Sequence, residues 1–446
     1  MENLAGAVFA IYAAEDIYTA DFQKDDAGNR ILEYAKDTLV AELTTDETGS
    51  ATIKNLPLGN YRVVEKTAPD GFVHNKAEQN VQFVYVDQDT PAVVESVEFI
   101  NERQKVEISV EKQDAENGST IAGAEFGLYA KEDIKAGGKV IVKADEQLCT
   151  AVTGEDGTAI FEQNLPFGSY YIKELQAPDG FVSSDEIIEV TVSYQGQDVE
   201  VVRLKEIFKN QPTTVEFRKS DLTTGVELDG ATLTVLDKDG NEIDKWTSVK
   251  GEPHIIKRLH VGETYILREE FAPYGYLKAE EVEFTITDTA EIQKVEMKDD
   301  VPIGRIIINK KGEFLSEVSW NDMVAGAMDS IWGYVTGSLK DVTFEIYARE
   351  DIKAADGESD DYYKKDELVA TIKTDELGIA RTDDLPLGKY YVVEKETADG
   401  FVLDGEPRDI DLTYRDQDTP VVTFDSEWQN SRQKAKVIVT KKRERF

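Results

Sequence analysis

The chain has 446 residues, with 50 Lys and Arg against 89 Asp and Glu, which gives a formal net charge of −39. Phosphate groups repel so acidic a chain, which excludes nucleic acid and anionic membrane surfaces as partners. A hydrophobic fraction of 40% is enough for packed cores. At ~150 residues per domain the length predicts about three domains, or more if the domains are small.

Three sequence signals recur in the same order four times along the chain. The central signal is seen as LPLGNYRVVEKTAPDGF (56–72), LPFGSYYIKELQAPDGF (165–181), HVGETYILREEFAPYGY (260–276) and LPLGKYYVVEKETADGF (385–401). Before each copy stands a strand-like segment such as GAEFGLYA, and after each copy an apolar segment ends in Asn or Asp. Ordered repetition of this kind indicates a tandem array of one module.

The repeats place the module boundaries after the closing Asn or Asp. We expect modules at 1–102, 103–211, 212–301 and 302–433, with residues 434–446 forming the first strand of a further module. Period-two alternation and regularly spaced turn signals predict a β-sandwich in each module. Short connections predict an elongated rod.

Two local features depart from the strand pattern. The segment after each Y-A-x-E-D predicts one helical turn. The longest irregular piece is 316–338, interpreted as an insertion in the fourth module with Trp320, Met323, Met328 and Trp332 as a local apolar plug.

The sequence does not favour a disulfide, a metal site, a cofactor site or an enzyme active site. Cys149 is the only cysteine, so an internal disulfide is excluded. The aspartates of the two D-Q-D-T-P segments (87–91 and 416–420) are better explained as turn formers than as calcium ligands. We expect no metal, no cofactor and no turnover enzyme, because no nucleophile and base stand in a catalytic pattern.

A lysine, a glutamate and an amide recur at inward-facing strand positions. Alternation places Val106, Ile108, Val110 and Lys112 on one strand face, which three apolar side chains mark as buried. Alternation also places the other lysines, glutamates, asparagines and the aspartate of these sets on the inward face of their strands. These residues are Lys219, Lys310, Glu65, Glu174, Glu269, Glu394, Asn101, Asn210, Asp299 and Asn430.

Two interpretations of these sets compete. They are buried ion pairs capped by an amide, or they are reactive groups. Burial lowers the pKa of a lysine towards a neutral nucleophile and raises that of a glutamate towards a general acid. Packed against an amide, such a pair could form an isopeptide bond, with folding supplying the proximity. Repetition in register favours the second interpretation.

These residues resemble the Cna protein B-type, prealbumin-like (SpaA-type) repeat domains of Gram-positive adhesins and pilins. The resemblance rests on the K-x-D opening (Lys112-Gln113-Asp114), the G-A-x-F strand and the so-called E-box, Y-x-x-x-E-x-x-A-P-x-G-[FY], and it covers essentially the whole chain. It implies an inverse immunoglobulin-like sandwich of seven strands and autocatalytic isopeptide bonds promoted by the E-box glutamate.

Carried onto this chain, the resemblance implies three bonds. They join Lys112 to Asn210, Lys219 to Asp299 (with Asp300 as the alternative) and Lys310 to Asn430 (with Lys311 as the alternative), and they are promoted by Glu174, Glu269 and Glu394. The fourth module departs from the family pattern with Lys310-Lys311-Gly312 for K-x-D and Thr397-Ala398 for Ala-Pro.

The first module has Glu65 and Asn101 but no matching lysine, whereas Lys441 follows the fourth module without a partner. We read the chain as an excerpt from a longer array. We expect a monomer. A further hypothesis is head-to-tail strand complementation between molecules, because the ends of a rod lie too far apart for the C-terminal strand to complete the first module of the same molecule.

The resemblance implies a function on the bacterial cell surface. We expect an extracellular structural stalk or pilin-like shaft, anchored to the cell wall in the full-length protein. The alternative is an adhesin region that recognises a host extracellular-matrix protein or glycan.

Overall fold

The computed structural model describes residues 3–19, 23–136, 138–161, 164–320 and 330–444. All regular secondary structure in these ranges is β, which confirms the expected all-β class. No helix in the same ranges is long and apolar enough to cross a membrane. Two compact units are distinguished, residues 1–212 with 288–290 and residues 213–287 with 291–446.

The first module forms one four-stranded antiparallel sheet, in the order β4-β1-β5-β6, and a small β2-β3 hairpin. Its strands are β1 (Val8–Ala13), β2 (Ile17–Tyr18), β3 (Leu32–Tyr34), β4 (Leu39–Thr44), β5 (Gly59–Thr67) and β6 (Glu78–Phe83). Residues 84–104, which include its closing segment, lie in no strand.

The second module has two sheets, β11-β8-β13-β14 and β12-β7-β15, and a β9-β10 hairpin. Its strands are β7 (Lys105–Asp114), β8 (Glu125–Ala130), β9 (Ile134–Ala136), β10 (Lys139–Val142), β11 (Gln147–Val152), β12 (Thr158–Ile160), β13 (Gly168–Gln176), β14 (Ile187–Val192) and β15 (Val201–Asn210). One core contains Ile108 of the second sheet and Phe126 of the first, so the two sheets form a sandwich.

The third module has the seven strands that the family resemblance implies. They form the sheets β19-β16-β22 and β18-β17-β20-β21. Their bounds are β16 (Thr214–Asp221), β17 (Thr232–Leu236), β18 (Glu242–Thr247), β19 (His254–Lys257), β20 (Thr264–Phe271), β21 (Val282–Thr285) and β22 (Gln293–Asp299).

The fourth module repeats this plan with a longer first strand. One sheet is β26-β25-β29-β30, and in the other β23 pairs with β24, β27, β28 and β31. The strands are β23 (Ile303–Trp320), β24 (Ser330–Ser338), β25 (Thr343–Ala348), β26 (Leu368–Lys373), β27 (Ile379–Arg381), β28 (Leu385–Pro386), β29 (Gly388–Glu396), β30 (Arg408–Leu412) and β31 (Val421–Asn430).

Two local expectations were wrong. The segments after Y-A-x-E-D contain the short strands β2 and β9 where a helical turn was expected. Much of 316–338 is a regular hairpin, since β23 runs on to residue 320 and pairs antiparallel with β24. Trp332 in this hairpin is 52% exposed, so it does not act as a plug. Met323 and Met328 lie outside the described residues, as does the side chain of Trp320.

A glutamine joins neighbouring modules within each unit. Gln197 accepts a hydrogen bond from the backbone N–H of Ala68 at its side-chain Oε1 (2.8 Å) and one from the backbone N–H of His74 at its backbone oxygen (2.9 Å). Gln417 makes the corresponding contacts to the third module, at 2.9 Å from Ala272 and 3.0 Å from Lys278. The two joints therefore share one set of contacts.

Aspartates beside these glutamines form local turns. Asp416 accepts hydrogen bonds from the backbone N–H of Asp418 (3.0 Å) and the hydroxyl of Thr419 (2.7 Å). In the second D-Q-D-T-P segment, then, the aspartate serves as a turn former and the glutamine serves as a joint contact.

Candidate functional site: buried lysine, glutamate and amide sets

The first and last strands of the second, third and fourth modules pair in parallel, which positions the reactive groups. In these pairs the lysine stands opposite an apolar residue: Lys112 pairs with Phe208, Lys219 with Met297 and Lys310 with Trp428. The Asn or Asp follows that apolar residue by two positions and so lies on the same face. The lysine and the carboxamide or carboxyl group are therefore diagonal neighbours.

The predicted burial of the lysine strand is confirmed. In β7 the side chains of Val106, Ile108, Val110 and Lys112 are all 0% exposed. Placing an amine in such a core is costly unless the amine is paired or neutral.

In the second module the three predicted groups meet in one cluster. The Nζ of Lys112 lies 2.7 Å from Oε1 of Glu174 and also donates to Oδ1 of Asn210. The amide Nδ2 of Asn210 donates to Oε1 and Oε2 of Glu174, at 3.0 and 2.9 Å. Glu174 thus contacts both the amine and the amide nitrogen, and it could pass a proton from one to the other.

Opposing influences act on the charge of the Lys112 amine. Burial lowers the pKa of Lys112, and the hydrogen bond and charge of Glu174 oppose that shift. Two aromatic rings lie close to its Nζ, with centroids at 5.4 Å for Phe126 and 5.8 Å for Phe208. Phe126 belongs to the G-A-x-F strand, so that part of the sequence pattern forms one wall of the site.

The third module replaces the amide with a carboxyl group. The Nζ of Lys219 lies 3.0 Å from Oε1 of Glu269 and donates to Oδ1 of Asp299, and all three side chains are 0% exposed. Burial raises the pKa of Asp299 to about 7, with Lys219 opposing the shift and Glu269 adding to it. A large share of Asp299 is therefore protonated near neutral pH, in the form that can lose water.

In the fourth module the glutamate lies between the lysine and the amide. Oε2 of Glu394 is 2.6 Å from Nζ of Lys310, and Oε1 of Glu394 accepts from Nδ2 of Asn430. Burial lowers the pKa of Lys310. The same Nδ2 donates to the hydroxyl of Thr397 at 2.8 Å, a contact that the sequence interpretation missed.

The structure also places the two alternative residues. Asp300 is exposed and Lys311 is half-buried, and each alternates in burial with its buried neighbour, Asp299 or Lys310. Strand parity therefore puts Asp299 and Lys310 in the clusters and their neighbours outside them.

The first module holds only part of a set. Oε2 of Glu65 accepts from Nδ2 of Asn101 and from the backbone N–H of Asn75, both at 2.7 Å. Within the described ranges no lysine or arginine forms an ion pair with Glu65. Lys441, the other unmatched group, is exposed.

Comparison with known proteins assigns the family. A family model described as SpaA, prealbumin-like fold domain, matches residues 1–98, 106–206, 213–301 and 334–428. Together these matches cover most of the chain. The chain belongs to the SpaA prealbumin-like fold family. Its sandwich modules are SpaA-type domains in a tandem array.

Solved structures with similar folds include three from Gram-positive bacteria. The Bacillus anthracis TIE protein is 19% identical, with 96% of this chain and 69% of that chain covered and a TM-score of 0.46. BcpA, the major pilin subunit of Bacillus cereus, is 16% identical (74% and 100% covered, TM-score 0.36). The major pilin SpaD from Corynebacterium diphtheriae is 15% identical (74% and 98% covered, TM-score 0.31). No curated protein matches the chain.

The third residue of the K-x-D opening packs against the last E-box residue in the third and fourth SpaA-type domains. In the third domain the hydroxyl of Tyr276, the last E-box residue, donates to Oδ2 of Asp221 at 2.8 Å. In the fourth domain Phe401 has no hydroxyl to donate. A Cβ added at Gly312 would lie 2.5 Å from the ring of Phe401. In the fourth domain the glycine leaves room for this ring, whereas the second domain combines Asp114 with a phenylalanine, Phe181, at the last E-box position.

Proposed function

We propose that the chain is a structural stalk region of a Gram-positive cell-surface protein, cross-linked by its own Lys–Asn and Lys–Asp isopeptide bonds. The observation that carries this proposal is the burial of a lysine, a glutamate and an amide or carboxyl group together in three successive modules. The bonds are assigned to Lys112–Asn210, Lys219–Asp299 and Lys310–Asn430. The proposed modules are 1–102, 103–211, 212–301 and 302–433, with 434–446 as the start of another.

The proposed reaction in the second and fourth modules is a transamidation. The neutral lysine Nζ attacks the Cγ atom of asparagine, a C–N bond forms, and the bond from Cγ to the amide nitrogen breaks. The glutamate takes a proton from the attacking amine and gives it to the leaving nitrogen, which departs as ammonia. Glu174 contacts both nitrogen atoms, which suits this transfer.

In the third module the leaving group is water. Attack by Lys219 on the protonated carboxyl group of Asp299 forms the amide and expels the hydroxyl with one proton. Because each bond forms once and the site is consumed, the chain modifies itself and does not turn over a substrate.

The position of each bond suits a protein under tension. It joins the first strand of a module to the last, so force applied at the two ends of a module would load a covalent bond in place of a hydrogen-bond ladder. The matching contacts of Gln197 and Gln417 would hold neighbouring modules in a repeated arrangement. The rival function, recognition of a host ligand, would use exposed hairpin residues such as Trp332 and Val335.

Intact mass under denaturing conditions tests the proposal. We expect the purified chain to be lighter than its sequence by two ammonias and one water. Glu174→Gln should restore one ammonia, because the carboxylate that relays the proton is lost. The matched control is Glu65→Gln, which changes the same E-box position in a module without a lysine and should leave the deficit unchanged. If the full-length chain has its full sequence mass, the three clusters are buried ion pairs and the proposed bonds do not form.

The third module should react faster at lower pH. Asp299 has a pKa raised to about 7, so its reactive protonated form predominates below that pH and declines above it. Chain recovered unfolded from inclusion bodies, and shown by its mass to be unreacted, would be refolded at a series of pH values and quenched in acid. The Glu269→Gln variant, in which we expect no bond between Lys219 and Asp299, serves as the zero-rate control. A rate of water loss that rises through the Asp299 pKa would contradict the prediction.

A further inference from the structure

In the fourth module a threonine side chain contacts the reactive amide in addition to the glutamate. Thr397 lies three positions after Glu394, and its hydroxyl accepts a hydrogen bond from Nδ2 of Asn430 at 2.8 Å. The other three modules have an alanine at this position, which has no polar atom in its side chain. These residues are Ala68, Ala177 and Ala272. The hydroxyl contact is therefore specific to the fourth module of this chain.

In the second module the amide is held at both of its ends without such a hydroxyl. The amine of Lys112 donates to Oδ1 of Asn210, and both oxygens of Glu174 accept from Nδ2. The carbonyl oxygen thus faces the lysine, and the nitrogen faces the glutamate. These contacts set the amide in one orientation, with the nitrogen that must leave beside the group that carries the proton.

In the fourth module the lysine does not hold the amide. The Nζ of Lys310 contacts Oε2 of Glu394 at 2.6 Å, whereas Oδ1 of Asn430 is buried and has no hydrogen-bond partner among the described residues. The amide is held at its nitrogen, which donates to Oε1 of Glu394 and to the hydroxyl of Thr397. Thr397 therefore supplies the second anchoring contact that the lysine supplies in the second module.

Two acceptors at the nitrogen are enough to fix the amide. The terminal torsion of an asparagine side chain is broad, so a single hydrogen bond leaves the amide free to turn. A primary amide has two N–H groups, and here two acceptors face it. The leaving nitrogen then stays beside Glu394 while the amine approaches. A defined orientation of the reacting groups is what so slow a reaction requires.

We propose that the hydroxyl of Thr397 orients the amide of Asn430 for attack by Lys310 and holds its nitrogen as that nitrogen leaves. The bond from Nζ to Cγ forms, the bond from Cγ to Nδ2 breaks, and Glu394 carries one amine proton to the leaving nitrogen. Thr397 gains and loses no proton, and the departing ammonia can still donate to its oxygen. This inference rests on the isopeptide chemistry of the proposed function and adds a residue to it.

The rate of bond formation in Thr397 variants tests the proposal. Full-length chain recovered unfolded from inclusion bodies, and shown by its mass to be unreacted, would be refolded and quenched in acid after increasing times. Digestion then gives a branched peptide that contains Lys310 and Asn430, and its amount measures the reaction of the fourth module alone. Thr397→Ala should slow this reaction by about tenfold, the rate equivalent of one neutral hydrogen bond.

Two further substitutions separate the hydroxyl from the space that it fills. Thr397→Ser keeps the hydroxyl and should keep most of the wild-type rate. Thr397→Val keeps the volume without the hydroxyl and should react as slowly as Thr397→Ala. The branched peptide of Lys112 and Asn210, measured in the same samples, should form at the wild-type rate in all three variants.

A second threonine of the fourth module provides the matched control. The hydroxyl of Thr382 accepts a hydrogen bond from the backbone N–H of Ile306 at 3.1 Å and lies outside the reactive cluster. Thr382→Val therefore removes a buried hydroxyl contact from the same module and should leave the rate of bond formation unchanged. If Thr382→Val slows the reaction as much as Thr397→Ala does, the rate follows folding of the module and the proposal is wrong.

Two results for Thr397 itself would also overturn the proposal. One is a Thr397→Ala chain that reacts as fast as the wild-type chain, and the other is a Thr397→Ser chain that is as slow as Thr397→Ala. The wild-type chain separates this inference from the proposed function. If it forms the bond between Lys310 and Asn430 and the variants form it equally fast, only this inference fails. If it forms no bond in any module, the proposed function fails.

Discussion

Replacing Lys112 with Met and Glu174 with Gln together should lower the stability of the second module by about 4.7 kcal/mol, the value for a cross-link that closes a loop of ~100 residues. Lys112 and Asn210 are 98 residues apart. Without the bond the unfolded chain regains the conformational entropy that closure of this loop removes, which favours unfolding. The double variant also removes both buried charges, which leaves loss of the cross-link as the main effect. For a domain of ~100 residues the unfolding temperature should fall by on the order of 20 °C.

Hydrogen exchange of peptides from β7 and β15, followed with increasing urea, would measure this loss within the second module. Glu174→Gln alone should be less stable than the double variant, because it leaves the Lys112 ammonium buried without a carboxylate; breaking a buried pair costs ~3–5 kcal/mol. A double variant as stable as the wild-type chain would show that no bond had formed.

Strand parity was enough to predict which side chains enter the core. Alternation placed Lys112 with three apolar residues, and it separated Asp299 from Asp300 and Lys310 from Lys311, in agreement with their burial. The signal was strong because a shift by one residue moves a strand's whole apolar set to the other face. The bonds themselves stay a prediction, since burial and contact are also what an ion pair requires.

The hairpin at 316–338 could not be predicted from the same rule. The register of β23 against β24 shifts between Leu315 and Glu317, so the alternation changes phase within one strand. Gly333 and Gly337 lower the strand signal further. Gly337 packs closely against the hairpin partner, since an added Cβ would lie 3.0 Å from the ring of Phe314. Here packing against a neighbour outweighs local propensity.

Contacts between residues far apart in the sequence could not be predicted either. Thr397 counted as a departure from the E-box, but its hydroxyl accepts a hydrogen bond from the amide of Asn430. Gly312 counted as a second departure, and it makes room for Phe401. Each substitution makes sense only beside a partner far along the chain, and a single sequence does not display such pairs.

Single-molecule stretching should give the largest contrast between the cross-linked and the unlinked chain. With its bonds intact, each of the second, third and fourth modules should release almost no length between its lysine and its Asn or Asp when pulled by the chain ends. A Glu→Gln change at one E-box should add one unfolding event that releases about 3.5 Å per residue. Because the two residues are neighbours in the folded module, nearly the whole intervening length is freed.

The size of the new event should identify the module. Glu174→Gln frees the 98 residues between Lys112 and Asn210, or about 340 Å. Glu269→Gln frees the 80 residues between Lys219 and Asp299, or about 280 Å. Glu394→Gln frees 430 − 310 = 120 residues, or about 420 Å. Glu65→Gln changes the E-box of a module without a lysine in place, so it should add none of these unfolding events. If the wild-type chain already shows the three events, the first and last strands of its modules are held together by hydrogen bonds alone.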